Sequence, residues 1–198
     1  MGARRCRRSW WMCAPPIRHE KLRVRIIAGS WRGRRLKAPP GRATRPTTDR
    51  TREAWMSIVA AEIPGARVLD LFAGSGALGL EALSRGAEHA LFVEQASTAL
   101  ASLKANIAAL GAAERAEVVR ADALRYAADL EPGAFDLAFA DPPYGKGLAA
   151  ELARLFAQRA FAGLLCIEHG TDDQMPELPG ARTRRYGDTL LTFLPAPD

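Results

Sequence analysis

Long apolar stretches are missing from this 198-residue chain. The longest uncharged run, Leu71 to Leu80, has ten residues, three of them glycine, against the roughly 20 apolar residues a helix needs to cross a bilayer. A transmembrane helix is excluded on that count. Cysteine and histidine are scarce, three of each. Cys6, Cys13 and Cys166 form no C-x-x-C pair, and His19, His89 and His169 stand at no ligand spacing from them, so neither a disulfide framework nor a metal site is expected. Arg4 to Arg8 followed by Trp10 to Ile17 has the outline of a signal peptide, but Pro15 and Pro16 break the apolar stretch and no small-residue cleavage pattern follows. A cytoplasmic protein is expected. Lysine is also scarce, at 4 residues against 24 arginines. Guanidinium forks suit phosphates and base edges, but G+C-rich coding gives the same bias, so arginine usage alone decides nothing.

What is present is a charge asymmetry. The net +6 divides into residues 1–55, with 16 Lys/Arg against 3 Asp/Glu, and residues 56–198, with 12 against 19. A basic arm on an acidic body points to a polyanionic partner, because clustered cations displace counterions from a phosphate backbone. The length and the 48% hydrophobic content suit one packed domain with appendages. Residues 1–22 show no periodicity, which fits a disordered basic tail or a stretch upstream of a start at Val24. In the second case the chain is about neutral, and the basic signal reduces to residues 26–55, with 8 basic residues against 2 acidic.

Residues 23–64 form a basic arm. Val24 to Lys37 predicts a small β-hairpin closed off by Pro39, Pro40 and Gly41. Thr47 or Thr48 caps a helix running to about Ala61, with Ala54, Trp55, Ile58 and Val59 on its apolar face. Residues 65–198 then alternate strand and helix. Strands are expected at 67–72, 90–94, 116–120, 135–140 and 163–168, and helices at 77–85, 97–110, 123–130 and 148–159. That alternation predicts an α/β fold, a mostly parallel sheet with helices on both faces. Arg182 to Tyr186 and Thr189 to Leu194 flank Gly187-Asp188 as a terminal hairpin that adds at least one antiparallel strand.

Three motifs carry chemistry. In Asp70-Leu71-Phe72-Ala73-Gly74-Ser75-Gly76, a strand runs into a glycine loop whose backbone can turn tightly against a ligand. Gly74, Gly76 and Gly79 also satisfy G-x-G-x-x-G, but Asp70, four residues before the first glycine, would repel a pyrophosphate and suits a ligand with an ammonium group and a sulfonium, such as S-adenosylmethionine. The plain alternative is that the glycines only pack helix on strand. Glu94, 18 residues after Gly76 and followed by Gln95, stands where an acid accepts from ribose hydroxyls. Asp122 could accept from an adenine amino group beside the Ala123 N–H, or simply cap a helix.

Asp141-Pro142-Pro143-Tyr144 follows the fourth strand of the body. Pro142 has a carbonyl and no N–H, so it and Asp141 offer two fixed acceptors for the two hydrogens of an exocyclic amine. Tyr144 offers a face for an extruded base. The arm interleaves Trp31 with Arg32, Arg34, Arg35, Lys37, Arg42, Arg45, Arg50 and Arg52, a mixture suited to phosphate contact and stacking, or to a generic basic surface.

On these residues the chain resembles the bacterial small-subunit (16S) ribosomal RNA guanine-N2 methyltransferases of the RsmD type. The matching segments are RIIAGSWRGRRLKAPP, TRPTTDRTREAW, LDLFAGSGALGLEALSRGA, Glu94, Asp122 and DPPYGKG. They span the chain from about residue 24 onward. Arg42-Ala43-Thr44 departs from the glycine-leucine step usual in that family. The resemblance implies a Rossmann-like class I methyltransferase fold with a seven-stranded sheet. S-adenosylmethionine would lie at Asp70, Phe72, Ala73, Gly74, Ser75, Gly76, Glu94, Gln95, Asp122 and Ala123, flanked by Thr47 and Arg50 of the N-terminal motif. A guanine amine would meet Asp141, Pro142, Pro143 and Tyr144. RNA contacts are expected from Trp31, Arg32, Arg34, Arg35, Lys37, Arg45, Arg52 and Lys146, acting as a monomer on RNA inside an assembling small subunit.

Two readings compete. A DNA adenine or cytosine amino-methyltransferase uses the same D-P-P-Y logic, but the chain has no room for a separate target-recognition domain. A non-catalytic RNA-binding assembly factor would not need Asp70, Glu94 and Asp141 together. A nicotinamide oxidoreductase is disfavoured by Asp70.

Overall fold

Short runs of apolar residues separated by helices of similar length leave the chain one economical solution, a sheet whose strands are covered on both faces. The computed structural model describes residues 24–39 and 49–197. Helix α1 (Asp49–Ile58) precedes β1 (Arg67–Leu71), α2 (Ala77–Ser84), β2 (His89–Val93), α3 (Ser97–Leu110) and β3 (Ala116–Val119). Then come α4 (Ala123–Ala128), β4 (Phe135–Ala140), α5 (Leu148–Arg159), β5 (Ala162–Gly170), β6 (Arg182–Tyr186) and β7 (Thr189–Pro195).

The seven strands form one sheet in the order β3-β2-β1-β4-β5-β7-β6. The first five are parallel, and β7 runs antiparallel between β5 and β6. Successive side chains alternate between two cores, as strand geometry requires. Val68, Leu137, Phe139 and Cys166 face the layer of α1, α2 and α3. Leu69, Leu71, Ala138, Ala140, Leu165 and Ile167 face α4 and α5. The α3 stripe of Leu100, Leu103, Ile107 and Leu110 is buried, as its spacing predicts. Trp55 of α1 meets Phe139 edge-on with ring centroids 5.8 Å apart.

The N-terminal segment forms the expected hairpin in a very short version. A single antiparallel bridge between Arg25 and Arg35 joins its arms, supported by Ile26 N–H to Arg34 O at 2.9 Å and Leu36 N–H to Val24 O at 2.8 Å. The residues between lean on α2. Glu81, fully buried, accepts the N–H groups of Ile27 at 2.7 Å and Ala28 at 2.9 Å and pairs with Arg85 at 2.8 Å. Ser84 accepts from Trp31 N–H at 3.0 Å and donates to Ala28 O at 2.6 Å. Backbone groups of the turn find partners on a helix more than 50 residues away. Gly29, at φ +82°, lies so close that a Cβ there would sit 1.9 Å from Ser84 O.

Helix α1 also differs from its sequence reading. It ends at Ile58, whose side chain is 43% exposed, while Met56 joins Trp55 and Val59 in the core. The cap expected at Thr47 or Thr48 and the tail of residues 1–22 lie outside the described residues. No helix of the described residues is long and apolar enough to cross a membrane.

Candidate active site

The sheet register gathers the motifs at one edge. Val119, Val93, Leu71, Ala140 and Ile167 lie side by side across β3, β2, β1, β4 and β5. Immediately past this row β3, β2, β1 and β4 leave the sheet, while β5 runs on to Gly170 against β7. Asp122 follows β3, Glu94 follows β2, the loop 72–76 follows β1, D-P-P-Y follows β4, and Glu168 belongs to the end of β5. Helical connections leave β1 toward β2 on one side and return from β3 to β4 on the other. The crevice where ligands bind in open α/β sheets therefore opens between the glycine loop and D-P-P-Y.

Two buried carboxylates brace the glycine loop and the helix that follows it. Asp70 shares the face of Val68 and accepts the Gly79 N–H in the first turn of α2 at 2.9 Å. The fit is close, because a Cβ on Gly79 would stand 2.4 Å from Phe92 and 3.1 Å from Asp70 Oδ2. Burial pushes the Asp70 carboxyl up to about 8, against the pull of the Gly79 N–H, and Glu94 adds to the rise. A cation beside it would favour the ionised form. Glu94 accepts Gly74 N–H through Oε2 at 2.8 Å and Ala96 N–H through Oε1 at 2.7 Å. Each carboxylate oxygen has two acceptor sites, so the hydroxyl-accepting role expected of Glu94 is compatible with these bonds. Gly74 and Gly76 take φ values of 58° and 80°, and Phe72 shares the left-handed region at 58°. Ala73 is buried, Ser75 half-buried and Gln95 exposed. Asp122 caps α4, accepting Arg125 N–H at 3.1 Å, with Ala123 buried behind it.

D-P-P-Y is held from the far side. Asp141 is half-buried, Pro142 buried, and Pro143 exposed. The Tyr144 hydroxyl donates to Glu168 Oε1 at 2.6 Å and lies 3.3 Å from Thr189 Oγ1. Its ring lies over Gly170, where a Cβ would approach Tyr144 Cδ2 to 3.2 Å. Burial first, then the bond to Glu168, raises the Tyr144 pKa above the usual phenol range, so the hydroxyl stays a donor. Asp173 ties the same loop down, accepting Gly145 N–H through Oδ1 and Gly170 N–H through Oδ2, both at 2.9 Å.

The sequence does not single out Glu168, Asp173, Glu81 or Asn106. Glu168 carried a readable signal, since it is an acid near the end of a strand as Glu94 is. Asn106 joins arm and loop, its amide donating to Ser75 O at 2.9 Å and Lys37 O at 3.1 Å while its Oδ1 accepts Lys37 N–H at 2.7 Å.

One of the expected RNA contacts needs correction. Arg52 is 2% exposed; it donates to Arg25 O at 2.5 Å and pairs with Asp49 at 2.9 Å. Its charge fastens α1 to the arm and presents no outward surface. Trp31 is half-buried against the core, with Arg115 5.2 Å from its ring centroid, so that ring is engaged by the protein's own side chains. Arg32, Arg34, Arg35, Lys37 and Lys146 are exposed, although Arg34 also donates to Ala109 O at 2.6 Å. Arg50 is exposed on α1, and Arg45 and Thr47 lie outside the described residues. Among the described residues no group of three or more His, Cys, Asp or Glu could hold a metal ion.

This sheet order, with a glycine loop after β1 and the D-P-P-Y loop after β4, is that of the class I methyltransferases. A family described as conserved hypothetical protein 95 matches residues 24–195. Ribosomal RNA small subunit methyltransferase D of Escherichia coli K12 is 39% identical over 159 residues, 79% of each chain. A Bacillus subtilis protein provisionally named rRNA methyltransferase YlbH is 40% identical over 176 residues, 84% of this chain and 95% of its own. The chain belongs to this family of ribosomal RNA small subunit methyltransferase D proteins. Among solved structures, an E. coli protein provisionally described as methyltransferase yhhF superposes with a TM-score of 0.74 at 35% identity, covering 86% of this chain and 96% of its own.

Proposed function

We propose that the protein transfers a methyl group from S-adenosylmethionine to the exocyclic N2 of a guanine in small-subunit ribosomal RNA. The observation that carries this reading is the register of Leu71 with Ala140, which starts the glycine loop and the acceptor loop at the same level on adjacent strands. Relatives bearing the rRNA methyltransferase name support the class of substrate.

The residues present fit S-adenosylmethionine, because a buried carboxyl shifted up to about 8 at the start of the loop gains from a nearby cation and Glu94 offers further acceptor capacity. When bound, that group supplies a methyl on a cationic sulfur. The chain's own part is to hold the acceptor. The Asp141 carboxylate and the Pro142 carbonyl accept the two amine hydrogens, which turns the nitrogen lone pair toward the methyl and aligns an in-line transfer. As the C–N bond forms and the S–C bond breaks to leave a neutral thioether, the Asp141 carboxylate takes the proton that the amine gives up. Tyr144, fixed by Glu168 and Gly170, gives the extruded base a surface to stack on. The RNA is recognised within an assembling small subunit, by exposed cations of the arm and by Lys146, and the protein acts as a monomer.

The test is label transfer from S-adenosylmethionine to small ribosomal subunits taken from a strain lacking the gene. Asp141→Ala is expected to lose transfer by at least about 100-fold while keeping cofactor affinity. Full activity in that variant overturns the assignment.

A further inference from the structure

The outer strand of the sheet is basic although the body is acidic. β6 carries Arg182, Arg184 and Arg185 within five residues, all exposed, in a segment where residues 56–198 hold 19 acidic against 12 basic groups. Its position relates it to the site. Both β5 and β6 are antiparallel to β7, so β6 runs in the direction of β5 and ends, at Tyr186, on the edge that bears the site. Tyr186 is paired with Thr189, whose hydroxyl lies 3.3 Å from that of Tyr144. From there Arg185, Arg184 and Arg182 step away at about 3.4 Å per residue. Three strand spacings, about 15 Å, separate β4 from β6, which places the arginines on the opposite flank of D-P-P-Y from the arm. Arg182 and Arg184 pair with Phe193 and Leu191, residues of the core layer that also receives the arm. Arg185 Nε donates to Gly187 O at 2.9 Å, which anchors that side chain at the turn beside Asp188.

We propose that β6 is a second phosphate-contact surface, gripping the RNA backbone on the side of the target nucleotide opposite to the arm. This rests on the RNA methyltransferase reading above. Arginines on an edge strand also block sheet-to-sheet pairing, and the test separates the two roles.

The test compares wild type, a triple variant with Arg182→Gln, Arg184→Gln and Arg185→Gln, and the matched triple Lys variant. Binding and methylation of small ribosomal subunits from the deletion strain are followed over about a fourfold range of salt. The Gln variant should lower the slope of log K against log salt by about two and raise KM for the particles roughly tenfold. Its kcat at saturation and its S-adenosylmethionine affinity should hold, and the Lys variant should keep the wild-type slope. A Gln variant with unchanged slope and KM overturns the proposal. So does one that only self-associates in sedimentation while keeping the wild-type slope, which would leave edge protection as the role. Failure of the underlying reading shows separately, as wild-type protein that transfers no label to small-subunit RNA.

Discussion

Asp70→Asn isolates what the buried carboxyl costs the fold and what it is for. The side chain is 1% exposed, and its carboxyl is pushed from 3.8 up to about 8 chiefly by burial. A group whose pKa is higher in the folded state supports the fold while protonated, and that support is lost as pH rises from the unfolded value toward the folded one. At about pH 7 the unfolded chain holds a free carboxylate and the folded one is mostly protonated. At about 1.4 kcal/mol per pH unit, the penalty is about 4 kcal/mol, taken as an upper figure. Asn keeps an acceptor for Gly79 N–H and carries no charge. Urea unfolding at a series of pH values should show the variant more stable than wild type near neutrality, the gap closing toward about pH 4. Calorimetry should show weaker S-adenosylmethionine binding, and wild-type binding should release a proton because the cation draws Asp70 into its ionised form. A variant no more stable than wild type at neutral pH, with unchanged cofactor affinity, refutes the reasoning.

Other consequences are measurable in the same assays. Gly29→Ala forces a Cβ to within 1.9 Å of Ser84 O at φ +82°, and should cost about 2 to 4 kcal/mol in urea unfolding; a change under about 0.5 kcal/mol would mean the arm is not docked on α2 as described. Glu81→Gln turns one acceptor of the Ile27 and Ala28 N–H pair into a donor, with an expected loss of about 2 to 3 kcal/mol. Tyr144→Phe keeps the stacking face but leaves the buried Glu168 without its phenol donor. We expect kcat to fall roughly tenfold with RNA affinity little changed; a loss confined to KM would argue against a positioning role.

Much of this was legible in the chain. The bounds of α3, α5, β4 and β6 coincide with those read from periodicity, because each is a long or sharply bounded apolar pattern with a clear stop. Parallel topology followed from the alternation, and the edge that collects Asp70, Glu94, Asp122 and Asp141 followed from it. The hairpin of the arm is legible but its docking is not, because the turn's backbone partners, Glu81 and Ser84, sit on α2, and no local pattern reports a contact across more than 50 residues. Arg52 was misread for a similar reason. A charged residue in a basic run looks like surface, and only the approach of Arg25 and Asp49 explains its burial. Tyr144 is expected from the motif, but its partner Glu168 lies within β5, two residues before the strand ends at Gly170. An acid near a strand end is visible in the chain, while the phenol it holds is set only by the packing of β5 beside the loop after β4.

Nucleoside mass spectrometry of ribosomal RNA from three strains decides whether the protein methylates guanine N2: one lacking the gene, one complemented with wild type, and one complemented with Asp141→Ala. N2-methylguanine in small-subunit RNA should fall in the deletion, return with wild type and stay low with the variant. An unchanged small-subunit profile in the deletion strain, or restoration by Asp141→Ala, would contradict that assignment.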